Sequence, residues 1–93
     1  MMRRKRSSDM IIAQILEVCI DGATKTRIVY QSNLNFRTVN PYIDLLVRRR
    51  LIETAQDNRK LYKTTEEGIE LMKCFKHHYE EISKLHIAID NTV

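Results

Sequence analysis

The chain has 93 residues, with 16 Lys and Arg against 12 Asp and Glu for a net charge of +4, and only two cysteines, two glycines and one proline. That length fits one domain and an appendage rather than two cores, and without an apolar run of about 18 residues it excludes a membrane-spanning helix. Two cysteines make no disulfide framework and two glycines no phosphate-cradling loop, which removes secreted disulfide scaffolds and nucleotide-loop enzymes.

Residues 1–6, with Arg3-Arg4-Lys5-Arg6, are expected as a flexible basic tail, and polar Ser7-Ser8-Asp9 after them is unlike a signal segment. Ser7 or Ser8 can cap a first helix, whose Ile12, Ile15, Leu16, Cys19 and Ile20 share one face before Gly22 stops it. Thr24 caps a short second helix from Lys25 to about Gln31, with Ile28 inward. Gln31-Ser32-Asn33 is a tight polar connection, Leu34 plugs the core, and Val39, Ile43, Leu46 and Val47 mark the apolar face of a third helix.

Pro41 bears on where that third helix begins. A cap at Asn35 puts proline at the sixth helical position, where it removes a backbone bond and clashes with the preceding turn. A start at Thr38 or Asn40 puts it in the first turn, where its missing amide costs little. A late or kinked start is the expectation.

Leu51–Thr54 and Lys60–Lys63 are short strand candidates around a polar turn, Gln56-Asp57-Asn58-Arg59. Thr64 and Glu67 form a capping box opening a terminal helix about 39 Å long. Along it Met72, Phe75, Tyr79, Ile82 and Ile89 alternate by three and four, with one gap at His86, as a coiled-coil seam does. A second copy of the chain is the simplest cover. His86 is either a register-setting polar break or exposed beside Leu85. Charge divides along the same line: residues 1–63 carry 13 Lys and Arg against 6 acids, and residues 64–93 carry 3 against 6. A head at +7 joined to a helix at −3 suits one part meeting phosphates and the other meeting its twin.

This order of elements resembles a winged helix. Lys25-Thr26-Arg27-Ile28-Val29-Tyr30 with Asn33-Leu34-Asn35-Phe36, Tyr42-Ile43-Asp44-Leu45-Leu46 with Leu51-Ile52-Glu53, and Tyr62-Lys63-Thr64-Thr65-Glu66-Glu67-Gly68 carry the resemblance. Together they are similar to the small archaeal winged-helix DNA-binding proteins of the ten-kilodalton Sulfolobus type. The resemblance implies a mainly α fold with an α+β wing, a winged helix-turn-helix head over 7–64, and a helix over 65–93 forming an antiparallel coiled-coil homodimer. It implies binding to double-stranded DNA as a transcription regulator or chromatin component, in the cytoplasm with the nucleoid. Lys25, Thr26, Arg27, Asn33 and Tyr42 match the family pattern, Tyr42 as a core residue rather than a contact. Thr64 occupies a place such proteins often fill with an apolar residue, implying a looser last strand.

Contacts follow from how a helix-turn-helix docks. The second helix and the wing touch backbone while the third helix enters the major groove. Thr24, Lys25, Thr26 and Arg27 surround the start of the second helix, where free amides attract anions; Asn33 lies in the turn. Arg37, Thr38 and Asn40 front the third helix, where Arg and Asn pair with base edges. Arg59 and Lys60 mark the wing tip. Arg48-Arg49-Arg50 complements the helix dipole and points to solvent. Met72, Phe75, Tyr79, Ile82, His86 and Ile89 form the dimer seam. No cofactor, metal or small-molecule substrate is expected: Cys74 and His78 are two ligands where structural zinc needs four, and no nucleophile with a base partner stands near the three histidines. The alternative is a winged helix that binds RNA or protein.

Overall fold

In the computed structural model, α1 (Ser8–Val18), α2 (Lys25–Ser32), α3 (Phe36–Arg48), β1 (Ile52–Gln56), β2 (Lys60–Thr64) and α4 (Glu66–Thr92) follow in the expected order. The structure describes residues 7–56 and 60–92, with side chains over that span except at 56 and 89–92. Among the described residues no helix is long and apolar enough to cross a membrane.

Three helices start where a side-chain oxygen replaces a missing acceptor for a free amide. Ser7 Oγ accepts from Met10 N–H at 3.2 Å, Thr24 Oγ1 from Arg27 N–H at 3.2 Å, and Asn35 Oδ1 from Thr38 N–H at 2.8 Å. α2 runs past Gln31 to take in Ser32, which is fully buried, and Asn33 ends it in the left-handed region at φ 55°. α3 ends likewise: Arg50 sits at φ 60°, its N–H donating to the Val47 carbonyl at 3.0 Å and the Leu51 N–H to Leu46 at 2.9 Å.

The late start expected for α3 is overturned. Asn35 is the cap, and Pro41 lies inside the helix. An interior proline costs about 3 kcal/mol. Val39, Ile43 and Leu46 are completely or almost completely buried on the opposite face, and at roughly 1.5–3 kcal/mol each their burial outweighs that cost.

The core gathers Ile11, Ile15, Leu16 and Cys19 from α1, Ala23 from the following loop, Ile28, the three α3 residues, Ile52, Tyr62 and Met72. Burial pushes the Cys19 thiol up to about 12, so it stays protonated and acts as a small apolar side chain, whereas Cys74 is exposed. The wing pairs antiparallel, with Ile52 opposite Thr64 and Gln56 opposite Lys60. Ala23 adds a single rung on the other side of β2 by exchanging backbone bonds of 2.9 and 2.8 Å with Tyr62. Gly22 turns the chain into that rung at φ 92°, a conformation glycine adopts at little cost.

Thr64 does not take the capping role expected of it. Thr65, not Thr64, caps α4, its Oγ1 accepting from Gly68 N–H at 3.1 Å while donating to the Arg50 carbonyl at 2.8 Å. Thr64 is buried and donates its hydroxyl to the Leu16 carbonyl at 2.6 Å; its N–H donates to the Cys19 carbonyl at 3.0 Å. It therefore satisfies acceptors left open at the C-terminal end of α1 and fastens β2 there, the reverse of a loose last strand. Thr64→Val keeps the shape and strands the Leu16 carbonyl, so urea denaturation should show a loss of about 1–2 kcal/mol. Unchanged stability would remove this bond from the account.

Candidate nucleic-acid interface

The first turn of α2 and the wing meet over one aromatic ring. Lys25 Nζ lies 6.0 Å and Lys60 Nζ 5.6 Å from the centroid of Tyr62. Tyr62 is buried and tied by backbone bonds to Ala23 just ahead of α2, so two cations 35 positions apart in sequence share one platform. Each ammonium lies over the ring, whose quadrupole attracts it, and Lys25 is half-buried while Lys60 is exposed. Arg27 and Thr26 are exposed beside them. These are the groups that a phosphate backbone would meet.

α3 presents the adjoining face. Arg37, Pro41, Asp44 and Arg48 recur at steps of four, three and four, opposite Val39, Ile43 and Leu46, and all four are exposed. Thr38 is half-buried at the edge of this stripe. The arginine run is thereby divided: Arg48 shares the outer face with Arg37, Arg49 caps the helix, and Arg50 enters the left-handed turn. All three are exposed, as expected of the run. Counting helical steps from Arg37 is the signal that places Arg48 on that face.

Other expected residues are placed differently. Asn40 lies off the outer face, half-buried, with its Oδ1 inaccessible and without a hydrogen-bond partner. Asn33 is exposed in the turn between α2 and α3. Tyr42 packs against the core and donates its hydroxyl to Ser8 Oγ at 3.0 Å, linking α3 to the start of α1. Arg59 and the tail Arg3–Arg6 lie outside the described residues. Among the described residues no three His, Cys, Asp or Glu side chains converge as a metal site.

Not every residue expected on the α4 seam is open to a partner. Met72 is 6% exposed within the protomer's own core, so it is not free for a partner. Phe75 is half-buried; Tyr79, at 56%, Ile82 and His86 are exposed, and the Ile89 side chain lies outside the described residues. Two further exposed apolar side chains border this stripe, Met10 on α1 and Leu85 on α4. A groove of about 850 Å³ runs between α1 and α4, lined by Met10, Ala13, Phe75, Tyr79 and Ile82 among others. Lys76 Nζ donates across the α1–α4 contact to Glu17 Oε1 at 3.0 Å.

A family model described as winged helix-turn-helix matches residues 5–84. The uncharacterized protein MJ0287 of Methanocaldococcus jannaschii is 36% identical over 78 residues, spanning 75% of this chain and 80% of the relative. Among solved structures, the chain is similar to Sso10a-2, a DNA-binding protein from Sulfolobus solfataricus, with a TM-score of 0.85 and 26% identity over 94% of this chain and 93% of that one. It also shares the fold of MepR, a transcription regulator of the Staphylococcus aureus multidrug efflux pump MepA, with a TM-score of 0.72 and 23% identity over 86% of this chain and 61% of that one. Sequence match, element order and the bridged wing agree, and the chain belongs to the winged helix-turn-helix family.

Proposed function

We propose that this protein is a homodimer that binds double-stranded DNA and acts in transcription control or chromatin organisation, in the cytoplasm with the nucleoid. The observation that carries this reading is the joint cationic face made by Lys25 and Lys60 over Tyr62 beside the outer stripe of α3. Lys25, Thr26, Arg27 and Lys60 hold the phosphate backbone, while Arg37 and Thr38 enter the major groove. Asn33 lies at the edge of this surface. Arg59 and the basic tail add sequence-independent attraction. Support also comes from relatives: Sso10a-2 is described as a DNA-binding protein, and a MepR variant of the same fold is bound to an oligodeoxyribonucleotide. The role is binding rather than catalysis. The dimer forms through α4, by Phe75, Tyr79, Ile82, His86 and Ile89, as an antiparallel coiled coil.

Competition among duplex DNA, structured RNA and heparin at several salt concentrations tests this. Duplex DNA should win at equal phosphate concentration, and preference for structured RNA would replace DNA as the partner. Two substitutions divide the labour. Lys25→Ala should weaken binding to every sequence and reduce the slope of log K against log salt by about one. Arg37→Ala should weaken binding to a selected high-affinity duplex by about 1–3 kcal/mol, with less effect on other sequences. Equal losses on all sequences for Arg37→Ala would move it from reading to backbone contact.

A further inference from the structure

Resting on the reading that duplex DNA lies against α3, we propose that the centre of this helix recognises thymine through its C5-methyl group, with Pro41 and Leu45 as the contacting side chains. Leu45 is 38% exposed although Val39, Ile43 and Leu46 of α3 face the core, and Pro41 is exposed one turn before it. Four residues apart, they adjoin on the helix surface as a small apolar strip. Arg37 stands one turn before the strip and Arg48 three residues beyond it. The strip has cations at both ends and no cation within it.

Asp44 sets what this middle segment meets. It is exposed three residues after Pro41; a carboxylate there would be repelled by phosphates, so the helix centre addresses base edges rather than the backbone. In the major groove the apolar feature of a base edge is the thymine methyl, and an aliphatic side chain gains by covering it. Pro41 and Leu45 are about 6 Å apart along the axis at 1.5 Å per residue, close to two base-pair steps of roughly 3.4 Å. Pro41 serves this role better than a polar residue because it adds a rigid apolar ring and has no amide to leave unpaired. The strip therefore favours A·T pairs under the middle of α3.

The test compares duplexes of alternating poly(dA-dT) and alternating poly(dA-dU), which differ in the methyl group, at one low salt concentration. The intact protein should bind the thymine polymer about four-fold or more tightly for each methyl covered. Leu45→Ala and, separately, Pro41→Ala should each bring that ratio towards one. The ratio is read within each variant, so a change in the folded fraction cancels, and Pro41→Ala restores a helix amide. Equal affinity of the intact protein for both polymers overturns the proposal while leaving duplex binding intact. So does a methyl preference that both variants retain. Failure to bind either duplex removes the DNA reading itself, and this proposal with it.

Discussion

Replacing Tyr79 and Ile82 together with aspartate is expected to leave the protein monomeric at micromolar concentration and to weaken its grip on duplex DNA by about two orders of magnitude or more. α4 has 27 residues, about 40 Å of helix, and its buried positions, Gly68 and Met72, belong to the first two turns. Beyond them Phe75, Tyr79, Ile82 and Leu85 form an apolar stripe that nothing in the protomer covers fully, continuous with Met10 across the α1–α4 groove. Covering one such side chain is worth roughly 1.5–3 kcal/mol, and two-fold symmetry applies every substitution twice. Four new carboxylates in one seam also repel one another. Sedimentation equilibrium decides the matter: a double variant as dimeric as the parent would show that the stripe is not the joint.

Gly68→Val is expected to cost at least about 3 kcal/mol, the upper part of the range for forcing atoms into a filled space. A Cβ at this position collides with the Leu51 carbonyl oxygen and comes within 2.6 Å of Thr64 Cγ2. Leu51 cannot withdraw: its carbonyl accepts from Thr65 N–H at 3.0 Å, and its own N–H closes α3 on Leu46. Glycine is required here by close approach rather than by φ, because α4 enters the core past the turn that links α3 to the wing. Denaturant unfolding at matched protomer concentration should show a lower midpoint with an unchanged slope. A midpoint within error of the parent would mean that the α3–β1 turn and α4 separate readily.

Much of this architecture is legible in the residues, and the misreadings share a cause. Helix caps at Ser7 and Thr24 and the apolar repeats of α1 and α3 are local signals, and each appears in the folded chain. Thr64 and Thr65 are adjacent hydroxyls of equal local merit. The choice between them is made by Leu16, 48 positions away, whose carbonyl needs a donor. Pro41 argues locally for a boundary, yet long-range burial of Val39, Ile43 and Leu46 carries the helix through it. Met72 fits the heptad pattern, but the core claims it before any partner can. The pairing of Lys25 with Lys60 has no local sign at all, because Tyr62 brings them together only once the wing has folded back on α2. Fold was therefore readable from periodicity and caps, while the interface needed the tertiary register of the wing.

The central claim, that the face joining the start of α2, the outer stripe of α3 and the wing is where a duplex docks, is tested most directly by following backbone amide resonances during titration with a short DNA duplex. The account predicts saturable shifts at Lys25, Thr26, Arg27, Arg37, Thr38, Leu45, Arg48 and Lys60, with the exposed face of α4 unmoved. Shifts confined to α4, or a spectrum indifferent to duplex even in dilute buffer, would contradict it.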